Sequence, residues 1–271
     1  MTTAAQAGFS NVDANRDAGD LVDYLALAAK HLGERRRAGF EMLRLHPGAA
    51  VLDVGCGAGE VCVELAARVG PSGRVAGIDP SDTMLAAARR AAEAARAPIE
   101  LHVASVYALP FPDGTFDAVR AERVFQHLED PEAGLREMLR VTRVGGRVLV
   151  FDPDHGQHGM ALDNAGHRRV LEASVRAMLR MLVNPHSGTR LRPMFTRAGL
   201  TEIESHTTVN EFAYADFARL FFLAERLKAA VEAGDVTSVE AADFVAVLEE
   251  RDRSGTFFAN VIGYTVAGTK P

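Results

Sequence analysis

The sequence predicts an α/β protein built on a mostly parallel sheet with helices on both faces. Three observations predict it. Short apolar runs recur at 50–54, 74–79, 99–105, 116–121 and 145–152. Stretches with helical spacing of Leu, Ala and Met separate them. Glycine, proline or a capping side chain stands at most of the joins.

In order, residues 1–20 lack an apolar period and read as a loose arm, and 21–45 reads as a helical segment. Strand 50–54 opens through GCGAG into a helix closed by Gly70. Strand 74–79 leads to a helix over 81–96 with Ser81 as its N-cap. Strand 99–105 follows, then ALPFPDGT as turn chemistry, strand 116–121, a helix from Pro131 to about 142, and strand 145–152. Beyond 152 the rhythm changes. Helices are expected at 161–183, 190–199, 214–233 and 238–252, with strands at 200–209 and over TFFANVIGYTVAGTK. The expected division is an N-terminal arm and helical cap over 1–45 and a core over 46–271, with helical insertions at about 155–197 and 211–253.

Composition narrows the function classes. A chain of 271 residues that is 48% hydrophobic is long enough to bury about 70% of its unfolded surface. A formal charge of −6 is the opposite of a phosphate-backbone footprint, so nucleic acid is not an expected partner. No apolar run reaches the roughly 18 residues of a membrane span, so neither a membrane partner nor a transmembrane location is expected, and a cytoplasmic protein is. Cys56 and Cys62 have no second pair, which argues for buried thiols rather than disulfides or zinc.

Chemistry concentrates at Val51-Leu52-Asp53-Val54-Gly55-Cys56-Gly57-Ala58-Gly59-Glu60, a buried strand opening into a glycine loop at a helix N-terminus. Glycines allow a left-handed backbone and close approach of a ligand. Asp79 lies 20 residues beyond Gly59, at the end of the second strand, where a carboxylate can accept both hydroxyls of a ribose. Loop and acid together point to a nucleoside-bearing ligand. The spacing is G-x-G-x-G rather than the G-x-G-x-x-G of dinucleotide binders.

These residues resemble the first motif of class I S-adenosylmethionine-dependent methyltransferases. Gly77-Ile78-Asp79-Pro80-Ser81-Asp82-Thr83-Met84-Leu85 is similar to that family's second strand and following helix. Ala108-Leu109-Pro110-Phe111-Pro112-Asp113-Gly114-Thr115-Phe116-Asp117 resembles a segment of the ubiquinone- and menaquinone-biosynthesis type. Glu122-Arg123-Val124-Phe125-Gln126-His127-Leu128 and Arg143-Val144-Gly145-Gly146-Arg147 are similar to the region after strand four and to the turn before strand five, with Val144 in place of the usual Pro. The resemblance implies a Rossmann-like class I methyltransferase fold: seven strands, mostly parallel, the last antiparallel, with helical cap insertions. It implies S-adenosyl-L-methionine as cofactor, held by Asp53, Gly55, Gly57, Gly59, Asp79, Pro80, Met84, Ser105, Val106, Glu122 and Arg123. Asp53 is expected to suit the cofactor's cationic groups, and Met84 either covers the adenine or belongs to the core. Ser105 stands where the family commonly has an Asp that accepts from the adenine amino group, a change worth about 1 kcal/mol.

Methyl transfer from a sulfonium needs proximity and orientation and, for a weakly acidic acceptor, a base. The candidates for catalysis are His127 after strand four, with Asp154 and His155, beside Asp152, after strand five. His155 and His158 lack the further ligands a metal site requires, so no metal is expected. Residues 155–197 carry seven Arg and four His against Asp163 and Glu172, whereas 211–253 carries ten acids against five bases. The basic insertion either holds an anionic substrate group, with Arg190 and Arg192 as candidates, or pairs with the acidic insertion. Aromatic side chains including Phe212, Tyr214, Phe217, Phe221, Phe222, Phe257 and Phe258 gather near the end of the chain, where with Tyr24 they can roof a small, partly apolar acceptor. Three functions remain open: methylation of a small molecule such as a specialised metabolite, a non-methylating cyclisation on the same fold, and cofactor sensing by a binding module.

Overall fold

Alternating side chains divide the interior of the sheet into two layers. In a computed structural model, which describes Leu27 and residues 33–271, Leu52, Ala76, Val119 and Val150 face one layer while Val51, Val75, Ala118 and Leu149 face the other. The strands are β1 (Ala50–Val54), β2 (Arg74–Asp79), β3 (Ile99–Val103), β4 (Phe116–Glu122), β5 (Thr142–Met160), β6 (Thr201–Phe212) and β7 (Ala259–Thr269). Their order is β3-β2-β1-β4-β5-β7-β6. Pairing is parallel from β3 through β5, and β7 runs antiparallel to both β5 and β6. This is the seven-stranded, mostly parallel arrangement that the family resemblance implied.

Helices α1 (Gly33–Met42), α2 (Glu60–Val69) and α3 (Asp82–Ala95) cover one layer through Phe40, Leu65 and Leu85. Helices α4 (Pro131–Val141) and α6 (Ser187–Arg197) cover the other through Leu135, Met138 and Phe195. Helix α4 starts at Pro131 behind an Asp130 cap, and α3 behind the Ser81 cap. The ALPFPDGT segment is pinned to α4: Arg140 donates to Leu109 O, Phe111 O and Asp113, and Glu137 accepts from the Leu109 N–H. The residues that carry that part of the family resemblance therefore do structural work here.

Two expectations need revision. Strand β5 continues to Met160 rather than ending at 152, because it pairs with β7 again at His158↔Val261 after its register is interrupted beyond Pro153↔Gly263. Residues 154–157 leave the ladder there, and such a bulge redirects side chains at the carboxyl end of a strand. The helix expected over 214–233 is divided into α7 (Tyr214–Leu220) and α8 (Leu223–Glu232), with Phe222 left-handed at φ 50° between them.

Helix α5 (Ala165–Met181), α8 and α9 (Ser238–Arg253) form a separate apolar cluster around Val170, Leu227 and Phe244. A second cluster joins Met178, Phe217, Phe221, Ala259 and Val261, with Leu27 packed against it. The loose arm and Tyr24 lie outside the described residues.

Candidate active site

At the carboxyl end of β1, Gly55, Gly57 and Gly59 all adopt positive φ, at 70°, 53° and 81°. A Cβ at Gly55 would approach Val124 Cγ2 to 2.4 Å, so this turn admits no larger residue without rearrangement. The loop delivers the chain to α2, whose N-cap Gly59 offers no side-chain cap to the first-turn N–H groups. Cys56, within the loop, and Cys62, on α2, are buried free thiols.

Asp79 terminates β2 and holds the loop in register. Its Oδ2 accepts from the Gly57 N–H at 3.0 Å and its Oδ1 from the Ser81 N–H at 3.0 Å. Both carboxylate oxygens thus tie the loop and the start of the next helix to the end of β2. Pro80 is exposed beside it, and Met84 is buried at 2% exposure in the first turn of α3. Ser105 is exposed and uses Oγ to accept from the Tyr107 N–H. Val106 is a core residue beneath α4, where Gly134 leaves room for it.

Asp53 differs from the expectation of an acid facing a cationic ligand. It is buried, and Arg120 Nη1 donates to its Oδ1 at 3.0 Å while Arg120 Nη2 donates to Glu122. Burial raises the Asp53 carboxyl despite Arg120, and the two carboxylates hold the buried guanidinium charged. Arg36 lies 3.6 Å from Glu122 on the other side. The Asp53 charge is thus met inside the protein, and Glu122 is the acid of this network that stands nearer the surface.

Arg123 ends β4 in a left-handed conformation at φ 59°, a strained setting for a non-glycine residue. Its carbonyl accepts from Gln126 Nε2. Gln126 Oε1 in turn accepts from His155 Nε2 at 2.7 Å, which fixes the proton on Nε2 and leaves Nδ1 as a buried nitrogen with no partner. Burial, reinforced by Arg123, holds His155 at about 3. The neighbouring His127, in the 3-10 turn Phe125–His127, is held at about 4 for the same two reasons.

The two β5 acids have opposite characters. Burial pushes Asp152 up to about 7; its Oδ2 accepts from Ser187 Oγ and its Oδ1 has no partner. Asp154 is held below the ordinary carboxylate range by Thr189, His186 and the Gly156 N–H, all of which donate to it. Those bonds make Asp154 a tie between the β5 bulge and the start of α6, and they leave it poorly suited to take a proton.

The structure brings His155 together with residues that the sequence did not single out as a group. His158 packs edge-on to Phe217 and Phe221, with ring centroids 6.0 and 5.2 Å away, and Phe221 also meets His155 at 6.4 Å. Arg226 lies fully buried against Phe217. Gln126 and Arg226 were the missed members. A signal for Arg226 existed: it interrupts the apolar stripe Leu223, Leu227, Ala230 of α8. Arg190 and Arg192 are exposed, and Arg192 bonds Ile203 O and Ser205 on β6, so they do not join this group. The basic insertion pairs with the acidic one through Arg169–Glu240, Arg180–Asp235, His167–Asp243 and Arg251–Asp163.

Among the described residues no helix is long and apolar enough to cross a membrane, and no group of three or more His, Cys, Asp and Glu could hold a metal ion. Residues 52–150 match the family described as a methyltransferase domain. That match covers about a third of the chain; with the sheet order and the relatives below, it supports a class I S-adenosylmethionine-dependent methyltransferase. A demethylmenaquinone methyltransferase of Thermus thermophilus is 38% identical over 144 residues, 52% of this chain and 64% of that protein. An uncharacterised methyltransferase of Schizosaccharomyces pombe is 34% identical over 176 residues, 61% of this chain and 62% of that protein. The chain therefore spans less than two thirds of these relatives' length. The solved structure of the YcgJ protein from Bacillus subtilis shares the fold, with a TM-score of 0.58 at 19% identity over 89% of this chain and 98% of that one.

Proposed function

We propose that the protein transfers a methyl group from S-adenosylmethionine to a small, partly apolar organic acceptor. The observation that carries this reading is the three-glycine left-handed loop locked to Asp79 at the carboxyl ends of β1 and β2. The donor set fits the cofactor. Asp79, a carboxylate at the end of β2 beside the loop, suits the ribose hydroxyls, and the uncapped first turn of α2 suits a carboxylate. Glu122 suits an ammonium, with Asp53 and Arg123 setting its surroundings. Gly55, Gly57 and Gly59 shape the cradle. Pro80, Met84, Ser105 and Val106 border the adenine side, Met84 and Val106 from within the packed interior.

When bound, S-adenosylmethionine supplies an electrophilic methyl group. The chain's own contribution is to orient the acceptor and manage its proton. His155 accepts a hydrogen bond through Nδ1, and its depressed basicity suits it to orienting a hydroxyl rather than carrying its proton. Asp152, near 7, has the proton affinity of a base that works at neutral pH. His127 flanks the site as a neutral side chain, and Asp154 positions the β5 bulge that bears His155.

The test is incubation of the full chain with S-adenosylmethionine and a panel of phenols, hydroxy acids and amines, followed by mass analysis. A gain of one methyl on an acceptor, with formation of S-adenosylhomocysteine, is expected. Cofactor binding with no methylated product across the panel, or a rearranged product of unchanged mass, would favour sensing or cyclisation instead.

A further inference from the structure

Arg226 presents an electrostatic problem that the cofactor site does not solve. Its side chain is fully buried on α8, and Nε and Nη2 have no hydrogen-bond partner. Nη1 has only Met178 Sδ, at 3.9 Å. The guanidinium stands 5.1 Å from the Phe217 ring centroid, and among the described residues no carboxylate offsets its burial, which lowers it to about 9. A buried charge without a counter-ion is strongly unfavourable and calls for an anion to meet it.

The unpartnered pair is Nε and Nη2, the side edge of the guanidinium, whose two parallel N–H groups match the two oxygens of a carboxylate. His158 completes the setting. Both of its ring nitrogens are buried and unpartnered, and it packs on the same Phe217 that Arg226 faces. Both His155 and His158 feel the Arg226 charge. A chain of contacts then leads from Arg226 through Phe217, His158 and Phe221 to His155 and Gln126 at the end of β4. The charge balances with a singly charged anion, and the Phe and Met surroundings require that the anion be attached to an apolar body.

We infer that Arg226 and His158 form the recognition site for the carboxylate of an aromatic or aliphatic acid, with Arg226 gripping both oxygens and His158 donating from the side. That this acid is the methyl acceptor rests on the methyl-transfer reading; the anion site does not. The carboxylate anchors at Arg226, and the apolar body extends along Phe217 and Phe221 toward His155.

The experiment uses the full chain with S-adenosylhomocysteine present and three pairs of probes: benzoate and benzamide, phenylacetate and phenylacetamide, octanoate and octanamide. Calorimetry is expected to show at least one acid binding about tenfold or more tighter than its amide. Arg226→Met should abolish that preference, leave S-adenosylhomocysteine affinity unchanged, and raise the ligand-free Tm by replacing an unpaired charge with an apolar chain. Arg226→Lys, which keeps the charge but not the paired N–H edge, should weaken the acid about tenfold and decides the matter should the Met variant fail to fold. Equal binding of acids and amides, a preference that survives both substitutions, tighter binding of phenyl phosphate than of every acid, or loss of S-adenosylhomocysteine affinity in either variant would overturn the inference. Acid preference without S-adenosylhomocysteine binding by the unmodified chain would remove the methyltransferase reading and leave the carboxylate site standing.

Discussion

Arg120 sits between two acids, and its removal is not symmetric with theirs. Arg120→Met leaves Asp53 and Glu122 close together in a buried setting, and the loss expected for breaking such a pair is about 3–5 kcal/mol, measurable by urea denaturation. The buried histidines impose a second signature. His127 at about 4 and His155 at about 3 remain neutral in the folded chain where the unfolded chain, near ~6.5, binds protons. Stability present above pH ~6.5 is therefore lost as the pH falls toward their folded values. Asp152, raised to about 7, acts oppositely, since the folded chain keeps a proton that the unfolded chain releases between about 7 and ~3.9. His158 is likewise held well below its ordinary value by burial, and Asp53 is raised by it. Three histidines outweigh two carboxyls, so the Tm should fall between pH 6.5 and 4.5, and His155→Gln should flatten the slope by about one proton, roughly 1.4 kcal/mol per pH unit. At this scale Asp79 and the glycines were legible in the sequence because their demands are local: a strand end, and φ values only glycine accepts easily. Arg226 and Gln126 were not, because their surroundings are assembled from α5, α7 and the β5 bulge, far apart in the chain.

Turns and caps decide which elements can be altered without disturbing the site. Gly55→Ala combines a positive φ with a Cβ against Val124, so it should cost about 1–3 kcal/mol and weaken S-adenosylhomocysteine binding at least tenfold in the same titration. Thr237→Ala removes the capping box that Thr237 and Glu240 form at the start of α9, and should cost about 1 kcal/mol while leaving that binding unchanged. Strands β1 and β2 and the Ser81 and Pro131 helix starts were readable because the signals lie within the segments. The continuation of β5 past 152 was not, since only pairing with β7, more than a hundred residues away, extends it. The division of α7 from α8 at Phe221 and Phe222 was hidden because the phenylalanines fit a helical stripe equally well; packing of Phe217 and Phe221 on His158 favours the break.

Across the molecule, the modest net charge conceals two insertions of opposite sign that meet. Their pairs are mostly exposed and screened by water, so they set how the two segments lie against each other more than they stabilise them. Seven strands, mostly parallel with the last antiparallel, were implied by family resemblance, whereas periodicity alone reached only strands alternating with helices, and neither gave the strand order. On the proposed function, the glycine loop and Asp79 form a cradle for S-adenosylmethionine. Calorimetric titration of the full chain with S-adenosylhomocysteine tests it most directly, with Asp79→Asn and Arg226→Met titrated alongside. One site per chain is expected, with affinity weakened at least tenfold by Asp79→Asn and unchanged by Arg226→Met. Absence of binding by the unmodified chain, or equal affinity with Asp79→Asn, would contradict it.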